Sequence, residues 1–378
     1  MLDRLSAIRS FGPKALIGLL AIVALATAAC GGTTSTPPAG NTTVPCPNAN
    51  ALTGAGSTFI NPLFSKWSQY YTSVKCGAQV TYQSVGSGAG ITQFSNQTVD
   101  FGATDSPMTD AQISAAKGGA SVEIPATIGG VAISYNVPEI AATTHLQLSG
   151  DTLAKIFLGT IKNWNDPAIA ADNSGVTLPS QAIHVVHRSD GSGTTGILTH
   201  YLAAVSDTWK NGPGAATTIK WPVGLGAKGN DGVATQVKNT KYAIGYNELA
   251  YVVANNISYA AVKSHDGAFV VPSSDTVAAA ANSVTTIPDD LRFFFVDAPG
   301  ANSYPIAGFT WLLVYQNQTD ADKGLAITDL LWWVTHSGQQ YASPNYVALP
   351  ANIVTRDEAK IKGIQCGSAA CFKGDPTK

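Results

Sequence analysis

The sequence predicts an α/β protein with largely parallel sheets, and three observations carry that reading. From Ala51 onward, short β-type runs alternate with amphipathic helical stretches. Apolar residues make up 45% of the chain, enough for buried cores but too few throughout for a multispan membrane protein. No internal repeat is visible at periods of roughly 20 to 50 residues, which sets solenoids and propellers aside. In order, a strand is predicted over residues 52–56, a helix over 62–71, and an alternating strand over 79–85. A helix at 90–95 and a strand at 99–103 follow. Residues 128–135 (IGGVAISY) form a longer β run with Gly129 and Gly130 near its start. After it come a helix at 153–157, a strand at 183–187 and a helix at 196–204. A β-rich run at 304–315 and a helix at 321–336 complete the pattern. Trp332 and Trp333 on that last helix read as packing residues.

The first 29 residues read as an export signal. Arg4, Arg9 and Lys14 precede a 15-residue apolar run from Ala15 to Ala29, too short for a permanent membrane span. The remainder is long enough for about two domains of roughly 150 residues each. Cys30 follows Thr27-Ala28-Ala29, which resembles a bacterial lipobox with Thr27 where Leu is usual. Residues 30–47, rich in Gly, Thr, Ser and Pro, read as a flexible tether. The net charge is −2 and becomes more negative once the basic signal is removed, which disfavours nucleic acid as a partner. Cys46, Cys76, Cys366 and Cys371 read as two disulfides in an exported chain, with three pairings open. They lack the C-x-x-C or H-x-x-x-H spacing of a zinc site, and the six scattered histidines show no metal spacing either, so no metal is expected.

Three strand-to-helix turns carry the chemistry: residues 54–59 (GAGSTF), 86–90 (GSGAG) and 190–196 (DGSGTTG). The first backbone N–H groups of a helix have no intrahelical partner, and the helix dipole adds partial positive charge there. Glycine lets an anion approach such N–H groups, and Ser or Thr adds hydroxyl donors. One such turn is also an ordinary N-cap, but three in one chain point to a shared oxyanion site. The third matches the dinucleotide pattern G-x-G-x-x-G, but the acidic residue that should follow about 20 positions later is missing, since Asp207 comes too early. A P-loop fails for want of Gly-Lys-Ser/Thr, and neither Ser87 nor Ser192 lies in a G-x-S-x-G elbow. Arg188 and Asp190 flank the third turn, where Asp190 can hold a guanidinium that meets an anion. Asp105 would repel an anion unless the ligand brings a proton to donate.

At these residues the sequence resembles the periplasmic phosphate-binding proteins of bacterial ABC phosphate importers. The likeness runs from Leu52 to about Val354 through the blocks LTGAGSTF, YQSVGSGAG, TVDFGATDSPM, TIGGVAISYNVP, KIFLGTIKNWNDPAI, HRSDGSGTTGILTHYL, KWPVGLGAKGNDGV and AIGYNELAY. It implies a type II periplasmic-binding-protein architecture, in which two α/β domains are joined by a two-crossover hinge with the ligand in the cleft. Crossovers near Ser134 and Pro305 make residues 48–133 and 305–375 a discontinuous first domain and 134–304 the second. The resemblance also implies a phosphate site. The Thr58 hydroxyl, the Phe59 N–H and Ser87 donate, Asp105 accepts the phosphate proton, and Arg188, positioned by Asp190, joins Ser192, Gly193 and Thr194 as donors. Gly88 and Ala89 stand where relatives often carry Ser and Gly, and His187 where some have a second Arg. The tail with Cys366 and Cys371 lies outside the common pattern.

The expected function is that of a lipid-anchored monomer on the extracytoplasmic face of the cell membrane. It would capture inorganic phosphate for an importer's permease and ATPase complex, without a cofactor or catalysis. A receptor for another tetrahedral oxyanion such as sulfate is the nearest alternative. An extracellular phosphatase is more distant, because it would need a metal cluster or an activated nucleophile. Cys46 and Cys76 each precede one of the first two predicted strands. Neighbouring parallel strands begin on one sheet edge, so Cys46 is expected to pair with Cys76, and Cys366 with Cys371.

Overall fold

A computed structural model describes residues 44–378 except Ala142. The predicted export signal, Cys30 and the tether as far as Thr43 lie outside the described residues. The main sheet has ten strands among these residues: β1 (Ala51–Gly56), β2 (Gln79–Ser84), β3 (Phe101–Thr104), β4 (Ser121–Asn136), β5 (His184–Arg188), β6 (Leu225–Ala227), β7 (Ala243–Glu248), β8 (Ser258–Tyr259), β9 (Ala307–Tyr315) and β10 (Tyr346–Val347). Their order is β2-β1-β3-β9-β4-β7-β5-β6, with β8 and β10 also pairing with β4.

The α/β class is as expected, but the sheet is mixed. Pairing is parallel at its two ends, where β1 joins β2 and β3, and β5 joins β6 and β7. It is antiparallel in the middle, where β9 pairs with β3 and β4, and β4 with β7. The central strands β4 and β9 are buried on both faces, and burial on both faces does not by itself reveal strand direction. Strand β4 also starts seven residues before its predicted beginning. Glu123 and Pro125 break the apolar pattern there, and Pro125 is accommodated opposite Trp311 at an irregularity in the β9 register. Along β4, residues up to Gly130 pair with β9, and Val131 to Asn136 pair with β7.

The helices include α1 (Asn61–Tyr71), α2 (Ser87–Ser95), α3 (Gly150–Phe157), α4 (Gly193–Val205), α5 (Gly229–Asn239), α6 (Ala321–Thr335) and α7 (Ala351–Gly363), of which α2, α4 and α5 begin at the site. Helices α2 and α4 each begin three residues earlier than predicted, inside their glycine turns. Gly, Ser and Thr read as loop, yet here they are the first helical residues, and the Ser192 hydroxyl caps α4 by accepting from the Thr195 N–H at 3.1 Å. Trp333 is buried. Trp332 is half-buried, stacked on Phe372 and covered by the Lys362 ammonium. Both expected disulfides are present, Cys46 with Cys76 ahead of β1 and β2, and Cys366 with Cys371 in the tail. No helix among the described residues is long and apolar enough to cross a membrane.

Parallel pairing at each end of the sheet sets the location of the site. The carboxyl ends of β1, β2 and β3 lie on one edge, so the turns that follow them are neighbours, and the same holds for β5 and β6. Ligands of open α/β sheets collect outside such carboxyl ends.

Candidate functional site

The turns after β1, β2, β3 and β5 meet around the buried carboxylate of Asp105. Ser57 Oγ lies 2.5 and 2.6 Å from the two carboxylate oxygens, Thr310 Oγ1 donates at 2.7 Å, and Ser87 Oγ stands 3.4 Å away. Ser87 Oγ in turn accepts from the Gly193 N–H at 3.0 Å, and the Gly88 N–H donates to the Gly191 carbonyl at 2.9 Å. The second and third glycine turns are thus in direct contact. Positions in them that require glycine include Gly86 and Gly193. Gly86 has φ +95°, and a Cβ there would lie 2.3 Å from Asp190 Oδ2, while a Cβ on Gly193 would lie 2.6 Å from Asp105. The Phe59 N–H donates to Ser57 Oγ at 2.9 Å.

A second group of side chains surrounds Arg188. Its guanidinium, almost wholly buried at the end of β5, forms a two-pronged pair with Asp190. Nε lies 2.8 Å from Oδ1 and Nη2 lies 2.6 Å from Oδ2. The Gly229 N–H also donates to Asp190, and Arg188 Nη1 reaches Thr194 Oγ1 at 3.4 Å. Thr194 Oγ1 and Thr58 Oγ1 are joined by the Asn230 side-chain amide, 3.0 Å from each. The eight residues expected to meet the ligand are therefore brought to one place, and Asp190 pairs with Arg188. His187 is turned aside, half-buried and stacked on Trp221.

The two aspartates are electrostatically opposite. Burial pushes Asp105 up to about 6, against the lowering effect of the Ser57 and Thr310 hydroxyls, the nearby Arg188 charge and Ser87. Burial also acts to raise Asp190, but the hydrogen bonds and charge of Arg188, with the Gly229 N–H, outweigh it and hold Asp190 below the usual carboxylate range. The site therefore presents many N–H and O–H donors, one paired cation and one carboxylate held without a cationic partner. No group of three His, Cys, Asp or Glu residues suited to a metal ion occurs among the described residues.

Sequence reasoning missed Ser57, Thr310 and Asn230. Ser57 lies inside the first turn, next to Thr58, and nothing local distinguishes the two hydroxyls. Asn230 lies in the block KWPVGLGAKGNDGV, one of those that carry the family resemblance. Thr310 is an isolated polar residue in an apolar strand, and only the antiparallel pairing of β9 with β3 brings it to Asp105.

The fold and this ring of donors define a solute-binding protein of the periplasmic-binding class. The family described as the PBP superfamily domain matches residues 32–334. A phosphate-binding protein PstS of Pasteurella multocida is 41% identical over 316 residues, covering 83% of this chain and 90% of that relative. PstS 3 of Mycobacterium leprae is 36% identical, covering 90% and 96%. The solved structure of a high-affinity periplasmic phosphate-binding protein with bound phosphate superposes with a TM-score of 0.65, covering 86% of this chain and 96% of its own, at 22% identity. The chain belongs to the PBP superfamily and, within it, to the PstS phosphate-binding family.

Proposed function

We propose that the protein captures inorganic phosphate outside the cytoplasmic membrane and delivers it to the permease and ATPase complex of an ABC importer. Asp105 carries this reading. A buried carboxylate among donors attracts an oxyanion only if that oxyanion keeps a proton, as phosphate does near neutral pH and sulfate does not. In this reading the Thr58, Ser87, Ser192 and Thr194 hydroxyls, the Phe59 and Gly193 N–H groups and Arg188 donate, Asp190 orients Arg188, and Asp105 takes the phosphate proton. The names of the PstS relatives support the same ligand. The ligand is bound and released unchanged, so no catalysis or cofactor is involved. Calorimetric titration of the soluble mature chain with phosphate and with sulfate tests this. Phosphate is expected to bind at least tenfold more tightly, and equal binding would refute the reading.

In the proposed division, 48–133 with 305–375 forms one domain and 134–304 the other, with crossovers near Ser134 and Pro305. The change of partner along β4, from β9 to β7, supports it. In this reading the chain works as a monomer held on the extracytoplasmic face of the cell membrane by lipid on Cys30. Since a bacterial lipoprotein carries more than one acyl chain, Cys30→Ala should move the protein from the membrane fraction to the soluble one.

A further inference from the structure

Asn230, the second residue of α5, is fully buried, and its hydrogen bonds leave its amide no freedom to turn. Oδ1 accepts from the Glu248 N–H at 2.9 Å, and the Asn230 carbonyl accepts from Asn247 Nδ2 at 2.7 Å. A backbone N–H can only donate, so reversing the side-chain amide would set two donors face to face. Nδ2 therefore points the other way, and its two hydrogens meet Thr58 Oγ1 and Thr194 Oγ1, each at 3.0 Å. The Asn230 backbone N–H, one of the free donors at the start of α5, also reaches Thr58 Oγ1, at 3.1 Å.

A hydroxyl has two lone pairs and one proton. Thr58 Oγ1 accepts two hydrogen bonds from Asn230. Thr194 Oγ1 accepts one from Asn230 and one from Arg188 Nη1. With both lone pairs engaged, each hydroxyl has only its proton left to offer. We propose that Asn230 is a positioning residue that makes the Thr58 and Thr194 hydroxyls obligate donors toward the bound anion. This deepens the phosphate reading and rests on it. Without Asn230, either hydroxyl can rotate its proton onto a protein acceptor and turn a lone pair toward the ligand oxygens. With it, Asp105 is left as the acceptor of the set, and the site's donor and acceptor pattern matches a singly protonated anion.

Calorimetric titration with inorganic phosphate of the mature wild type, Asn230→Asp, Asn230→Ala, Thr58→Val and the Asn230→Ala/Thr58→Val double variant tests this. Asn230→Asp keeps the size and the acceptor for the Glu248 N–H but turns an oxygen toward both hydroxyls, which then donate to it and away from the ligand. Affinity is expected to fall at least tenfold, and further than in Asn230→Ala. Asn230→Ala is expected to weaken phosphate about tenfold alone but only about threefold beside Thr58→Val, where one of the two hydroxyls it orients is gone and Thr194 remains. A merely structural role would give equal losses in both backgrounds, and that result, or binding by both Asn230 variants within twofold of wild type, overturns the inference. Should Asn230→Asp fail to fold in a thermal melt, the Asn230→Ala cycle decides. Failure of the wild type itself to bind phosphate would instead overturn the underlying reading.

Discussion

The β3 end of the site and its β5 end each carry a buried or half-buried aspartate, and the two are held in contrasting ways. Asp190, after β5, faces a guanidinium through two hydrogen bonds, and that pairing holds its pKa down although burial acts to raise it. Asp105, after β3, is held by hydroxyls, and burial prevails. Charge compensation is thus concentrated at one end and withheld at the other. In the proposed reading, an anion arriving between them finds a cation already oriented, and a carboxylate it can approach only by offering a proton. On that reading the same side-chain chemistry would serve scaffolding at one position and selection at the other, with the surroundings deciding which.

The contrast breaks most completely if the cation is removed. Arg188→Ala should weaken phosphate binding by one to two orders of magnitude or more, since hydrogen bonds to charged groups contribute roughly 1.5 to 3 kcal/mol each. It also leaves Asp190 half-buried without its partner, so the folded protein should lose stability as well. Titration calorimetry and thermal melts on the same preparation measure both losses. Affinity retained within threefold would mean that Arg188 does not touch the ligand.

A smaller change sharpens the other end. In Asp105→Asn the amide still accepts from Ser57 and Thr310 but can also donate. Phosphate binding should therefore persist while sulfate gains a partner, and the phosphate-to-sulfate affinity ratio should shrink by about tenfold. An unchanged ratio at fixed ionic strength would assign selectivity to the shape of the site instead.

How much of this was legible in the sequence follows from where each residue sits. The turns at 54–59, 86–90 and 190–196 announce themselves, because glycine beside Ser and Thr is unusual and local chemistry explains it. The strands flanking them were also legible, and parallel pairing of β1, β2 and β3 brings their turns together. The direction of β4 and β9 was not, since in strands buried on both faces the apolar pattern does not record which way the neighbouring strands run. Thr310 was lost for the same reason. Its place beside Asp105 depends on the register of β9 against β3, which no local pattern records. Asn230 lies in the block KWPVGLGAKGNDGV, but its partners are 172 and 36 residues away.

The last and smallest effect is a pair of opposite pH dependences in the unligated protein. Asp105 has its folded pKa raised from 3.8 to about 6, so its contribution favours the folded state below 3.8 and is lost as the pH rises through about 6. Asp190 has its folded pKa lowered, so its contribution is present above 3.8 and is lost as the pH falls through the lowered value. Replacing each carboxylate by an amide removes the corresponding dependence. Asp105→Asn should therefore gain on the wild type as the pH rises from about 4 to 7, reaching a melting temperature higher by a few degrees at neutral pH. Asp190→Asn should melt below the wild type at neutral pH and approach it in acid. Differential scanning calorimetry across this range, in phosphate-free buffer, reads both curves. Two variants that followed the wild type in parallel at every pH would mean that the two carboxylates titrate alike, and the contrast between scaffold and selector would then have no electrostatic basis.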